Sequence, residues 1–93
     1  MKLPVNYNEL SPYSRRAVRE EYIRRQMGLC SYCGNPLNGE PRKDIKDLKI
    51  TPELFPINMF KYPVHLHHDH DTGLTKGAVH AYCNAVMWEY DGE

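Results

Sequence analysis

Every histidine of this chain lies in one short stretch of sequence. The stretch from His65 to Asn84 reads HLHHDHDTGLTKGAVHAYCN and holds all five histidines, together with the last of the three cysteines, Cys83. Histidine exchanges protons near neutral pH and is also the commonest metal ligand in proteins. Histidines at this density are hard to explain by packing alone, so the stretch indicates metal binding, proton transfer or both.

Four spaced residues indicate a closed metal site. Cys30 and Cys33 form a CxxC pair followed by a glycine, and His80 and Cys83 form an HxxC pair further along. Two thiolates at this spacing let the backbone curl around one tetrahedral ion. A single CxxC also occurs in redox motifs, but the two pairs together supply the four ligands that a closed structural zinc requires. We therefore predict a zinc ion held by Cys30, Cys33, His80 and Cys83, rather than free or redox-active thiols.

Two strands and a helix must position these residues. The triplet Asp71–Gly73 is a turn signal, and the residues on both sides of it suit strands. We predict a β-hairpin with strands at about 64–68 and 76–80. A short helix is expected to begin near Ala81 and to carry Asn84 in its first turn.

The preceding part of the chain divides into three segments. A helix is predicted over about 12–27, because Ser11 is a suitable N-cap, Pro12 suits the first turn and Gly28 suits a helix stop. A zinc knuckle at 29–34 follows. Residues 35–63 contain several prolines, which predicts an irregular insertion. This insertion is interpreted either as a structural cover over the core or as a loop that contacts substrate.

Length and composition predict one small α+β domain, residues 1–93, held together by zinc. The chain has two phenylalanines and one tryptophan, which is a thin supply of large core residues. Three cysteines, an odd number, argue against a closed disulfide framework. Trp88 is expected in the core, and Asp69 and Asp71 are expected to form the hairpin turn rather than to bind metal.

The motifs resemble those of the HNH nucleases, whose site is a ββα-metal motif, here at 64–90. The closest resemblance is to the recombination endonuclease VII-like group, which is often found in phages. That group's pattern runs roughly CxxC, DHDHxTG, RG and CxxCN. The corresponding residues here are Cys30–Cys33, His67–Gly73, Lys76-Gly77 and His80–Asn84. His67 stands where the group has a metal-binding Asp, His80 stands where it has a third Cys, and the insertion at 35–63 separates the two halves.

The resemblance implies a metal-dependent endonuclease that hydrolyses DNA phosphodiester bonds. His68 would be the general base, and His67 with Asn84 would hold a catalytic divalent ion. Magnesium, manganese or nickel would serve. Because an imidazole replaces the usual carboxylate at position 67, manganese or nickel should serve at least as well as magnesium.

Four further residues are expected to bind the DNA substrate. Lys76 and His70 would contact phosphates from the hairpin, and Arg15 and Arg19 share one face of the predicted helix. Alternatively, His70 packs within the fold instead of contacting phosphate, and the charged residues of the helix form a solvated surface that does not bind DNA. His65 is assigned a structural role, as a hydrogen-bonding group near the metal.

The charge distribution is uneven although the net charge is zero. Residues 1–28 carry six basic and three acidic side chains, and the remainder carries six and nine. A neutral total counts mildly against a DNA partner, since phosphate neutralisation usually dominates affinity, but a basic helix still offers a local surface. A monomer or weak homodimer is expected. With neither an apolar signal-peptide run nor a membrane-spanning stretch, we expect a cytoplasmic protein, in the host cytoplasm if phage-encoded.

Two other functions remain open. One is a non-catalytic zinc-binding module that interacts with DNA or a protein, and the other is a histidine-rich site for metal storage. The His67-His68 pair together with Asn84 favours the enzyme, because a zinc module needs none of these three residues.

Overall fold

The computed structural model describes residues 1–92. Its helices and strands, in chain order, are α1 (Pro12–Arg25), α2 (Lys43–Lys46), β1 (Val64–His68), β2 (Thr75–His80) and α3 (Ala81–Asp91). Single turns of 3₁₀ helix lie at Tyr7–Glu9, Pro52–Leu54 and Met59–Lys61. Helices beside a two-stranded sheet confirm the α+β class. Of the helices within residues 1–92, none has both the length and the apolar character that crossing a bilayer requires.

Helix α1 begins as its sequence predicts and ends earlier. The Ser11 hydroxyl accepts a hydrogen bond from the backbone N–H of Ser14 at 3.1 Å, and Pro12 takes the first helical position. At the other end, Met27 and Gly28 both have left-handed φ angles, 58° and 76°. The Gly28 N–H donates to the Ile23 carbonyl at 2.8 Å. This bond and the one from the Met27 N–H to the Arg24 carbonyl at 3.1 Å form a Schellman motif. Its left-handed residue directly after the helix, usually a glycine, is Met27, which therefore lies outside the helix predicted to include it.

The two strands form an antiparallel hairpin whose register changes at its turn end. Val64 pairs with His80 at the open end, and His67 pairs with Gly77. The next residue, His68, pairs with Thr75, so β2 carries one extra residue there. Such a bulge bends the strand and redirects side chains, and bulges are common beside active sites.

Asp69 forms the hairpin turn, as expected. Its carboxylate accepts hydrogen bonds from the backbone N–H groups of Asp71 and Thr72, both at 2.8 Å. These two donors lower the pKa of Asp69 below its usual value. Gly73 completes the turn with a φ of 79°, a conformation that glycine adopts at no steric cost.

The insertion at 35–63 is built of short helical turns rather than being wholly irregular. Helix α2 and the two 3₁₀ turns lie within it. Three side chains of α3 form hydrogen bonds with its backbone. Tyr82 donates to the Leu48 carbonyl, and Tyr90 donates to the Lys49 carbonyl. Glu89 accepts from the Thr51 N–H at 2.7 Å. The insertion therefore lies on α3 as a cover with a defined position.

The core is small and centres on the cysteines. It contains no tryptophan or phenylalanine among the described residues; its buried members are Val18, Cys30, Cys33, Leu37, Ile45, Leu66, Ala78, Val79, Ala81, Cys83, Ala85, Val86 and Met87. The expectation for Trp88 was wrong, because its residue is 44% exposed. Helix α3 turns Cys83, Val86 and Met87 inward, so Trp88 falls on the side that meets the insertion. There its ring contacts Phe55 edge-on at 5.9 Å.

Candidate functional site

The CxxC segment at 29–34 has the curled backbone expected from the glycine that follows Cys33. The N–H groups of Tyr32 and Cys33 point at the Cys30 sulfur, 3.4 and 3.5 Å away. Gly34 follows with a φ of 83°, and its N–H donates to the Cys30 carbonyl at 3.0 Å. The chain thereby curls around the two thiols, which both point to the same centre.

His80 and Cys83 complete the set from the end of β2 and the start of α3. The ligand atoms of all four residues lie within 4.8 Å of one another, and all four residues are buried. Nδ1 of His80 lies 3.5 Å from the Cys33 sulfur and 3.6 Å from the Cys83 sulfur. Its Nε2 lies 2.9 Å from the Pro36 carbonyl, which can only accept, so the proton sits on Nε2 and the Nδ1 lone pair faces the thiols. A ligand imidazole is oriented in this way at metal sites.

The electrostatics of the cluster also suit a metal. A hydrogen bond from Cys83 lowers the pKa of Cys30 to about 4. The same contact, with burial, raises the pKa of Cys83. A bound cation would favour the thiolate form of both residues, since metal ligands must be deprotonated. Cys30, Cys33, His80 and Cys83 therefore form a closed cluster that could hold a metal ion such as zinc.

The cluster is joined to the hairpin through Gln26, which sequence reasoning missed. The Gln26 side-chain amide pairs with the backbone of Ala78 in both directions: Oε1 accepts from its N–H at 2.8 Å, and Nε2 donates to its carbonyl at 2.9 Å. The Ser31 N–H donates to the same carbonyl at 3.1 Å. A Cβ at Gly77 would lie 2.8 Å from the Ser31 hydroxyl and 2.9 Å from the Gln26 amide oxygen. A side chain at this position would have to displace the Ser31 hydroxyl or the Gln26 amide, so glycine suits this close approach.

Histidines outside the Cys3His cluster line a cleft together with an asparagine. His67 and His68, at the end of β1, and Asn84, in the first turn of α3, line one cleft of about 500 Å³ together with His65 and His70. These side chains come from β1, from the turn after it and from α3. His67 is buried, whereas His70 is exposed.

His65 holds Asn84 by a hydrogen bond whose direction can be assigned. Nε2 of His65 lies 2.7 Å from the Met59 carbonyl, so Nε2 must donate. Burial lowers the pKa of His65, which favours the neutral ring, in which Nδ1 is then an acceptor. Nδ1 lies 3.1 Å from Nδ2 of Asn84. The Asn84 amide therefore donates to His65 through its nitrogen, and its oxygen remains as an acceptor.

His68 lies in a stack of rings. The Tyr7 ring lies parallel to it, with 3.9 Å between centroids and 5° between planes, and the His70 ring lies 4.9 Å away. Burial and the charges of His70, His67 and Arg15 lower the pKa of His68, although the Leu66 backbone opposes this. His68 is therefore favoured in its neutral form, which can accept a proton.

Tyr7 comes from a segment in which sequence reasoning found no functional residue. The Tyr7 N–H donates to the Gly73 carbonyl at 2.8 Å, and the Thr75 N–H donates to the Val5 carbonyl at 2.9 Å. The Val5 N–H donates to the Thr75 hydroxyl at 3.1 Å. A Cβ at Gly73 would lie 2.8 Å from the Asn6 side chain. The glycine therefore forms the turn and also leaves room for the N-terminal segment that carries Asn6 and Tyr7.

Three of the four predicted DNA-binding residues line a cleft that the other histidines also line. Arg15 and Arg19 line a cleft that also touches His65, His68 and Asn84. The Arg15 guanidinium lies over the Tyr7 ring, 4.0 Å from its centroid. His70 lines the histidine cleft itself. Lys76 lines neither of these clefts, and its ammonium lies 3.9 Å from the Asp69 carboxylate.

Within residues 1–92, the Cys3His set is the one group of three or more His, Cys, Asp or Glu side chains close enough to share a metal ion. Comparison with protein-family models, with curated proteins and with solved structures found no significant match. What the chain does must therefore be inferred from its own residues and their geometry.

Proposed function

We propose that this protein is a metal-dependent endonuclease that hydrolyses DNA phosphodiester bonds. One observation carries the proposal: His67 and His68 from β1 and Asn84 from α3 line a single cleft. The strand, strand, helix order around them is the one expected from the resemblance to the HNH nucleases. A module that only bound zinc would need none of these three residues, and none of them belongs to the Cys3His cluster.

His68 is the general base in this proposal. Its neutral ring, favoured by burial, would take a proton from the attacking water. The parallel Tyr7 ring limits rotation of the imidazole, which keeps the accepting nitrogen in one direction. A base held in position in this way typically contributes about 10²–10⁴-fold to a rate.

His67 and Asn84 are the ligands proposed for a catalytic divalent ion. An imidazole nitrogen and an amide oxygen are both suitable donors, and the hydrogen bond from Asn84 Nδ2 to His65 leaves the Asn84 oxygen available. When bound, such an ion would polarise the phosphoryl group and stabilise charge on the departing oxygen. Two protein ligands leave positions open, as a catalytic site requires. The imidazole makes manganese or nickel at least as suitable as magnesium.

Arg15 and Arg19 are proposed to bind phosphates that flank the scissile one. They reach the cleft beside His65 and His68 from α1, and guanidinium groups bind phosphate in a bidentate way. Arg15 also packs on Tyr7, so the arginine that would bind substrate and the histidine that would act as base share one aromatic support.

Incubation of the zinc-loaded protein with supercoiled plasmid and separate divalent ions tests the proposal. Conversion of supercoiled to open-circular or linear DNA is expected with manganese, nickel or magnesium and not without an added ion. Protein carrying His68→Ala, purified identically, controls for contaminating nucleases. If no ion supports cleavage by the folded protein, the non-catalytic zinc-binding module becomes the better account.

A further inference from the structure

The histidine cleft has a second wall that the proposed hydrolysis does not use. This wall, here called the aromatic wall, consists of Leu54, Phe55, Pro56, Met59, Tyr62 and Trp88. Trp88 is 44% exposed and Tyr62 is 62% exposed. A chain with a single tryptophan and a small core thus leaves its largest apolar ring facing a cleft.

Ring contacts and hydrogen bonds hold the aromatic wall in place. Phe55 contacts Trp88 edge-on at 5.9 Å and Phe60 edge-on at 6.4 Å. The hydrogen bond from the Thr51 N–H to Glu89 ties the start of this segment to α3. The Met59 carbonyl also holds the ring of His65. These two hydrogen bonds connect the segment that carries the aromatic wall to α3 and to β1.

We propose that the aromatic wall stacks one unpaired nucleobase of the DNA, next to the phosphate bound at the histidines. The inference rests on the proposed function and specifies its substrate as DNA with an unstacked nucleotide. Every nucleobase has a π face that can stack on aromatic side chains, whatever its identity. In a paired duplex, neighbouring base pairs cover these faces. A base must therefore leave the stack, or already be unpaired, to enter the cleft.

The charges around the cleft fit this occupant better than an apolar peptide. His65 and Tyr62 line both the histidine cleft and the cleft that holds Arg15 and Arg19. The two clefts are thus adjacent and share part of their lining, with aromatic rings in one and guanidinium groups in the other. A single strand of DNA matches this order, because its bases and its phosphates lie on opposite sides of the sugar. Single-strand binding sites combine stacking rings with a basic path in the same manner.

The single tryptophan supplies a direct readout. Zinc-loaded protein, with no other divalent ion added so that cleavage is prevented, is titrated with oligothymidylate and with a blunt duplex of the same length. Stacking should quench the emission of Trp88 with the single strand. The single strand should also bind at least about fivefold more tightly than the duplex, the lower end of what one stacked base contributes.

Substitutions then test the wall itself, with binding followed through a label on the DNA. Trp88→Leu should weaken single-strand binding by about 5- to 150-fold, while Trp88→Phe should retain most of it. Tyr62→Ser, at a more exposed position, serves if Trp88→Leu proves unstable. Tyr13→Ala is the matched control, because Tyr13 is an aromatic residue of α1 that is 83% exposed and lies outside the cleft.

Three results would overturn the inference. The first is unchanged Trp88 emission on adding oligothymidylate, and the second is equal affinity for single strand and duplex. The third is Trp88 emission that changes with protein concentration alone, which would mean that a second copy of the chain covers the wall. Quenching without any plasmid cleavage would support the stacking site and contradict the hydrolysis, so the two proposals fail separately.

Discussion

Nδ1 of His65 lies 3.1 Å from the amide nitrogen of Asn84, so an imidazole on β1 sets the orientation of an amide on α3. The Met59 carbonyl, 2.7 Å from the other ring nitrogen, determines which way the hydrogen bond runs. The insertion, the hairpin and α3 therefore meet at one residue. That residue carries no catalytic role in the proposed reaction, but it holds the amide nitrogen of Asn84 and leaves the amide oxygen as an acceptor.

His65→Ala should weaken the response to the catalytic ion. Without Nδ1 as acceptor, the Asn84 amide can rotate and its oxygen is no longer oriented. The ion concentration that gives half-maximal nicking should rise several-fold, with the maximal rate largely recovered at high concentration. His65→Gln, whose carbonyl can accept from Asn84, should restore part of the response. A His65→Ala protein with an unchanged ion dependence would contradict the positioning role.

Tyr7→Ala should lower the nicking rate while Tyr7→Phe leaves it nearly unchanged. The stack on His68 needs the aromatic ring and not the hydroxyl, and the Arg15 guanidinium also rests on the ring. Plasmid nicking at saturating ion concentration measures the effect. If Tyr7→Phe were as impaired as Tyr7→Ala, the hydroxyl would be the important group and the stacking account would be wrong.

Features encoded by a few neighbouring residues could be predicted from the sequence, whereas contacts between distant parts of the chain could not. The spacing of Cys30 and Cys33 and the turn at Asp71–Gly73 act over a few residues, and the knuckle and hairpin form where these signals predict. Tyr7 was missed because its segment pairs with the hairpin across 70 residues of chain, and no local pattern encodes such a contact. Trp88 was misplaced because helical spacing does not show which face an insertion will cover.

The end of α1 shows the same limit at short range. Met27 adopts a left-handed φ of 58°, a conformation that few side chains favour, so its residue type carries no stop signal. The amide of Gln26 pairs with a strand that lies 52 residues further along. Sequence reasoning placed both residues within an ordinary helix.

Gln26→Ala should lower the free energy of unfolding by about 1–3 kcal/mol. Ala78 is fully buried, so its N–H would lose its partner without access to water, and an unsatisfied buried group costs about this much. Urea unfolding of the zinc-loaded protein measures the change. Glu20→Ala, an exposed residue of the same helix, should stay within about 0.5 kcal/mol of the parent. Equal urea midpoints for Gln26→Ala and Glu20→Ala would refute the role given to Gln26.

The folded protein should contain one zinc ion per chain. Cys83→Ser should lose the ion together with the cooperative unfolding transition, because binding at a structural site is coupled to folding. Ser31→Ala, in the same knuckle, should keep both, since Ser31 contributes its backbone N–H to Ala78. Elemental analysis of purified protein provides the count. A folded protein without zinc would end the structural-metal account.

His68→Ala tests the central claim most directly. Its nicking rate on supercoiled plasmid is compared with that of the parent at saturating manganese, with zinc content and oligonucleotide affinity measured on the same preparations. Because His68 would act only on the attacking water, the rate should fall by about 10²–10⁴-fold while zinc and affinity stay unchanged. A His68→Ala protein that nicks at nearly the parent rate, or that has lost its zinc, would contradict the assignment of His68 as the general base.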